Sequence, residues 1–311
     1  MNNLEDINIL VLGDIMLDRY ICGNVSRISP EAPVPVVEVF NEYYNLGGCG
    51  NVVRNIRSIG VTCSCLAVVG KDQIGQTIIN ELNSIGAQSL IVEIEGRQST
   101  LKERIVAGYR QIQMLRVDRE ERSPVNSALL LRKLTEHKTE NFDAILISDY
   151  DKGVINDIDF IDSLKSIFPN AFILVDPKPK NIPLYDSVMM ITPNEKEFQE
   201  IKDRGHLPFV EKHIPYVLET QGRKGMTLHG LSGFEYNSEV IPTEPVEVFN
   251  VSGAGDCVLA IMGVCLARGI KILPSAKIAN KCAHYVVTQV GTSVISKNKF
   301  IESVTKYKSE L

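Results

Sequence analysis

The chain has 311 residues, 44% of them hydrophobic, which suffices for one large core and lies near the size at which a single core stops growing. A net charge of -5 argues against a nucleic-acid surface, which would need a basic stripe, and no apolar run reaches membrane-spanning length. Residues 1–6 lack the basic-then-apolar layout of a secretion signal, and the seven cysteines and five histidines show neither paired CxxC nor HExxH spacing, so zinc is not expected and the thiols read as reduced, in a cytoplasm.

Ile7 to Leu12 is a near-continuous apolar run closed by Gly13-Asp14, the pattern of a strand buried on both faces. Residues 49–59 predict a helix with Val52, Val53, Ile56 and Ile59 on one side and Gly60 as its stop. A strand at 66–69 and a helix at 74–85 follow, and Cys63 and Cys65 share one face of a strand-like run. The alternation resumes with helix 126–140, strand 144–147, helix 156–167 and strand 172–175. Strand 188–191, helix 195–202 and strand 215–219 come next, and two helices, 254–268 and 274–289, close the chain. Such alternation predicts an α/β fold, a doubly wound and mostly parallel sheet covered on both sides.

Two stretches break the rhythm. Residues 19–40 interleave Val34, Val36, Val37 and Val39 with Pro33 and Pro35, the mark of an edge or exposed strand. Residues 90–117 hold strand-like pieces with no helix between them. Both read as parts of a small antiparallel sheet that projects from the main unit and covers a site as a lid. Without a linker, residues 1–311 are expected to form a single domain.

The candidate chemistry lies between these elements. Gly253-Ala254-Gly255-Asp256 opens an apolar helix. Small residues there leave backbone N–H groups able to approach an anion, and an aspartate at the same place can take a proton from a hydroxyl. Together they suit phosphoryl transfer to an alcohol; a plain Gly-rich cap is the alternative. Asp14 and Asp18 follow the first strand, where ligands bind in such sheets, although Asp14 would serve equally to end the strand. Gly47, Gly48 and Asn51 open the next helix; the glycines admit a small ligand and the amide can bind hydroxyls, or the segment is an ordinary turn. Asn194 and Glu197 lie on one side of a helix start, able to orient hydrated Mg²⁺ or to form a simple capping box. Asp149 with Lys152, and Asp176 with Lys178, bring a carboxylate and a lysine to strand ends. Lys102, Arg104 and Arg116 supply cations from the lid, able to meet a phosphorylated substrate or to face solvent.

In this order the Gly47–Asn51 segment, Asn194 to Glu197, the Thr220-Gln221-Gly222-Arg223-Lys224-Gly225 turn and Gly253 to Asp256 resemble the ribokinase-like (PfkB) sugar kinases over nearly the whole chain. The resemblance implies a Rossmann-like core with a β lid. It implies ATP-dependent phosphorylation with Asp256 as base, the Gly253, Ala254 and Gly255 amides as anion hole, and Mg²⁺ placed by Asn194 and Glu197. The nucleotide would lie against Thr220, Gly222 and Gly225 and near Asn280. Residues 13–20, 26–37, 148–154 and 175–178 are similar to the heptose 7-phosphate kinase branch, which phosphorylates the anomeric hydroxyl of D-glycero-D-manno-heptose 7-phosphate to make the bisphosphate precursor of ADP-heptose. Its members often carry a fused nucleotidyltransferase, for which no room follows before Leu311, so a separate one is expected. Asn250 stands where the family usually has Asp near a monovalent cation, which leaves potassium dependence open, and residues 107–113 match the branch poorly. The expected partners are ATP and a phosphosugar, with a homodimer paired through the lid. Another sugar or phosphosugar kinase of this family, or a silent sugar-binding regulator, are the competing readings.

Overall fold

The computed structural model describes residues 3–108, 112–232, 235–244, 253–289 and 293–310. In chain order the elements are β1 (Asn8–Gly13), β2 (Ile15–Ile28), β3 (Pro35–Gly48), α1 (Cys49–Ser58), β4 (Thr62–Gly70), α2 (Gln73–Ser84), β5 (Gln88–Ser89), β6 (Val92–Ile94), β7 (Leu101–Ala107) and β8 (Ile112–Arg119). They continue as α3 (Ser127–Glu136), β9 (Ala144–Ser148), α4 (Phe160–Ile167), β10 (Phe172–Asp176), β11 (Met190–Ile191), α5 (Glu195–Asp203), α6 (Leu207–His213) and β12 (Tyr216–Thr220). The last are β13 (Met226–Ser232), β14 (Glu235–Ile241), α7 (Ala254–Ala267), α8 (Ile272–Val287) and α9 (Lys297–Lys306).

The main sheet runs in the order β14-β13-β12-β11-β10-β9-β1-β4-β5, with β6 also beside β4. It is parallel from β12 through β4 and turns antiparallel only at the β13–β14 hairpin. Strand β1 shows why two helical layers are needed. Ile9 and Val11 point into one core and Leu10 and Leu12 into the other, and all four are fully buried. The first core is closed by α1, α2, α7, α8 and α9, the second by α3 to α6. Each such aliphatic side chain contributes roughly 1.5–3 kcal/mol on burial. Helix α7 is apolar nearly all round, with Cys257 to Cys265 buried without a break, because it lies between the sheet and α8.

Strands β3-β2-β7-β8 form a second sheet, the lid. It is mixed, not antiparallel as expected: β2 pairs with β3 antiparallel but with β7 parallel, since both β2 and β7 leave the main sheet in the same direction. Its bounds also differ from the expected 19–40 and 90–117. The long strands reach back to Ile15 and Gly48, while β6 in the 90–100 stretch joins the main sheet. The C-terminal part needs a further correction, because α9 packs Phe300 into the first core after the two expected helices. Helix α6 and the β13–β14 hairpin were likewise not expected.

Gly13 joins this frame to the site. Its φ is +142°, and a Cβ there would collide with the carbonyl of Ser148 at the end of β9. Gly13→Ala should therefore lower stability by about 2–4 kcal/mol, read as an earlier urea midpoint; an unchanged midpoint would show that β1 and β9 can part at no cost.

Candidate active site

The carboxyl ends of the parallel strands put Asp14 after β1, Asp149 after β9, Asp176 at the end of β10 and Thr220 at the end of β12 along one edge. The start of α7 lies against the same edge, with Gly255 beside Asp176: a Cβ on that glycine would lie 3.7 Å from Asp176 Oδ2. Gly253 takes the left-handed conformation (φ 84°) that turns the chain into the helix, and as a glycine it has no side chain to occupy the first-turn N–H groups.

Asp256, in the first turn of α7, is 4% exposed. Asn51 Nδ2 donates to its Oδ2 at 2.8 Å and the Tyr150 hydroxyl to its Oδ1 at 3.1 Å. Burial raises its pKa to about 6; the two donors and Lys102 pull it down, and Asp18 adds to the rise. The carboxylate is thus ionised at neutral pH yet basic enough to accept a proton near it.

Asp14 and Asp149, both candidates for the substrate side, are held by hydrogen bonds from their own surroundings. Asp14 is 2% exposed and accepts from the backbone N–H groups of Tyr150, Lys152 and Val154. Burial and the nearby Asp149 raise its pKa to about 6 despite those bonds. Asp149 Oδ2 accepts from the Tyr185 hydroxyl at 2.6 Å and Asn181 Nδ2 at 2.8 Å, and its Oδ1 from the Asp151 N–H. Through these bonds the two carboxylates place the 150–154 loop. Gly47 and Gly48 also have packing reasons. A Cβ on Gly47 would press on Asp18 and Met16, and one on Gly48, already at φ 59°, would strike the Asp14 carbonyl.

The expected cations converge from lid and core. Arg104 pairs with Asp18 at 2.5 Å on the inner face of the lid, Lys152 with Glu120 at 2.5 Å, and Arg116, farther out, with Asp118 at 2.6 Å. Lys102 from β7 and Lys178 from the core stand 5.7 and 5.4 Å from the centre of the Tyr150 ring. Burial lowers the pKa of Lys102, with Lys152 and Arg116 adding to the effect and Asp18 and Glu120 opposing it. Of these five cations, Lys102 has no carboxylate at ion-pair distance among the described residues.

On the other side, Asn194 and Glu197 form a complete capping box at the start of α5. The remaining oxygen of Glu197 pairs with Lys178 Nζ at 2.5 Å. Among the described residues, no group of three or more His, Cys, Asp or Glu is placed to hold a metal. This donor set fits a hydrated ion shared with phosphate oxygens rather than an all-protein cage. Asn194 bridges Thr220, so the α5 start adjoins the Thr220–Gly225 turn. Gly225, at φ 96°, packs on the Ile241 carbonyl, and Asn280 Nδ2 donates to Pro242 O at 3.0 Å. Thr220, Gly222, Gly225 and Asn280 are thereby gathered around the end of β14.

Two residues here had no role in the sequence reading. Tyr150 lies inside a motif noted for its lysine and carboxylates, and Arg54 is one more residue of α1. Burial, with Glu197 and Asp256 nearby, pushes the Asp176 carboxyl well up. Asn250, residues 251–252 and residues 109–111 lie outside the described residues.

The profile of the pfkB family carbohydrate kinases matches residues 6–299. The bifunctional protein HldE of Campylobacter curvus is 38% identical over 303 residues, covering 93% of this chain and 63% of that protein. The protein of the same name from Pelobacter propionicus is 36% identical over 319 residues, covering 97% and 64%. The chain thus spans about three-fifths of the length of these relatives. Ribokinase from Giardia lamblia superposes with a TM-score of 0.74 at 18% identity, over 97% of this chain and 99% of that one. Phosphofructokinase-2 from Escherichia coli, solved with potassium, gives 0.72 at 17%, over 97% and 99%. Fold, motif order and a profile matched along almost the whole length agree: the chain belongs to the pfkB family of carbohydrate kinases.

Proposed function

We propose that residues 1–311 act as one kinase unit that transfers the γ-phosphoryl group of ATP to the anomeric hydroxyl of D-glycero-D-manno-heptose 7-phosphate, as a step toward ADP-heptose. The observation that carries the reading is the buried Asp256 carboxylate, held at both oxygens in the first turn of α7. Asp256 takes the proton of the attacking hydroxyl while the first-turn amides of Gly253, Ala254 and Gly255 bind the transferring phosphoryl oxygens. Bound Mg²⁺ would neutralise phosphate charge. Glu197 and Asn194 would hold it through water, with Lys178 beside the same phosphates. Thr220, Gly222, Gly225 and Asn280 form the nucleotide side. The heptose 7-phosphate assignment is supported by the branch resemblance in residues 13–20, 26–37, 148–154 and 175–178 and by the HldE-named relatives.

Lys102 is the cation best suited to the far phosphate of the sugar. Burial lowers its pKa, so the charged ammonium is short of solvation that a bound dianion would supply. Arg104 and Asp18 then face the polyol. Seven buried free thiols suit a reducing compartment such as the cytoplasm. Among the described residues no helix is long and apolar enough to cross a membrane. The lid exposes Phe40 (64%) on β3 and Ile112 (62%), Met114 and Leu115 on β8. Such apolar surface on edge strands is suited to a second copy of the lid, giving a homodimer.

A coupled ADP-release assay with heptose 7-phosphate beside other phosphosugars and free sugars tests the reading; turnover only with a free pentose or hexose would replace the substrate. In that assay Asp256→Asn should lower kcat about a thousandfold with little change in ATP affinity. The parent kcat/KM should fall about tenfold per pH unit below about 6, because the base must be ionised and burial has raised its pKa to that value. Lys102→Ala should raise the KM for the phosphosugar about tenfold and leave that for ATP nearly unchanged; equal effects would remove Lys102 from the sugar phosphate. Sedimentation should find a dimer in the parent and a monomer in Phe40→Glu; a monomeric parent would dismiss the lid interface.

A further inference from the structure

Nothing in the phosphoryl-transfer scheme requires a phenol, yet one is built into the site with unusual care. Tyr150 belongs to a loop defined on every side. Its own N–H, and those of Lys152 and Val154, donate to Asp14. Asp151 is held in the left-handed region at φ 58°, costly for a residue with a side chain, and its N–H is tied to Asp149 at 2.8 Å. Arg97 fastens the same loop through the Lys152 carbonyl at 2.6 Å. The product of all these bonds is a phenol whose hydroxyl meets Asp256 Oδ1. The opposite oxygen is treated the same way. Asn51 donates to Oδ2, and the amide is oriented by Arg54 Nη1, which donates to Asn51 Oδ1 at 3.1 Å.

We propose that Tyr150 is a positioning residue for Asp256: its hydroxyl fixes the rotation of the carboxylate about its Cβ–Cγ bond and so decides which lone pair meets the sugar hydroxyl. The inference rests on the reading of Asp256 as the base and adds to it a second, independently placed side chain. A carboxylate pinned at both oxygens cannot swing toward either neighbour, so little reorganisation remains when the proton moves. The phenol keeps its proton in this role, because the Asp256 charge and burial hold its pKa well above the usual tyrosine range. The other titratable groups that face Asp256 are Asp18 from β2, Lys102 from β7, Arg54 and Cys49 from α1, Asp176 at the end of β10, and the neighbouring Cys257 of α7.

A donor to the ionised form holds a carboxyl pKa down, so removing it moves the acid limb of the rate profile upward. In Tyr150→Phe the midpoint of that limb should rise by about one unit from its parent value of about 6. kcat/KM should fall about fivefold near that pH, approach about a tenfold loss at more acid pH and recover most of the loss in mildly alkaline buffer, with the KM for ATP unchanged. A residue that only supports the fold would lower the rate equally at every pH. The chain has no tryptophan, so its near-ultraviolet absorbance comes mainly from tyrosine and offers a measurement on the unaltered protein. A tyrosine difference signal that titrates with the same midpoint and vanishes in Asp256→Asn supports the contact, even if Tyr150→Phe does not fold. An acid limb unmoved in folded Tyr150→Phe, or a flat tyrosine signal, overturns the proposal. In the first case an inactive Asp256→Asn leaves the base reading standing; near-normal turnover in Asp256→Asn removes both.

Discussion

The arrangement depends on one buried contact, the carboxylate of Asp14 beneath the 150–154 loop. Three backbone N–H groups converge on it from a segment more than 130 positions away, at 2.7 Å for Tyr150. The loop cannot hold this shape by itself, since Asp151 and Gly153 both sit at positive φ. With Asp14 in place, the loop brings Tyr150 to Asp256 and Lys152 to the lid-side Glu120. Gly13 ensures that Asp14 follows β1 close against β9, because no side chain fits between them.

Such a site costs stability. The pKa values of Asp14 and Asp256 are both raised from 3.8 to about 6 by burial, so each ionised carboxylate is worth about 3 kcal/mol less than it would be in water. The sign is that of a raised carboxyl: the cost is full above about 6 and is relieved as the pH falls toward 3.8. The two α/β cores, with continuous Val, Ile and Leu on both faces of β1 and β9, offset it. For Asp256 the cost has a use, because the same burial places its basicity near neutral pH.

Lid and core meet at the Tyr150 ring, which Lys102 approaches from β7 and Lys178 from the segment after β10. The inner face of the lid carries Asp18, Arg104 and the stacked Tyr20–Tyr43 pair, with ring centres 4.8 Å apart. Its outer face and edges carry exposed apolar side chains. The outer face also carries the linked ion pairs of Arg19, Glu42, Glu103 and Arg119, so exposed apolar side chains such as Leu115 stand among charges there.

The sequence by itself determined the layers. The apolar run of β1, the one-sided valines and isoleucines of α1 and the all-apolar α7 have periods that allow one solution, and the order of Gly- and Asp-rich breaks put the chemistry at one sheet edge. It left α6, α9 and the β13–β14 hairpin unread, because short or sparsely apolar segments such as 297–306, which buries only Phe300 and Ser303, have no decisive period. What only the tertiary structure decided is how the carboxylates divide their work. Asp14 and Asp256 look alike in the sequence, each next to glycine at the edge of an apolar element. One receives three backbone donors from residues 136–140 positions away, while the other receives two side-chain donors 205 and 106 positions away. The partners that distinguish a loop anchor from the proposed base arrive only when distant strands pair, and no local pattern records them.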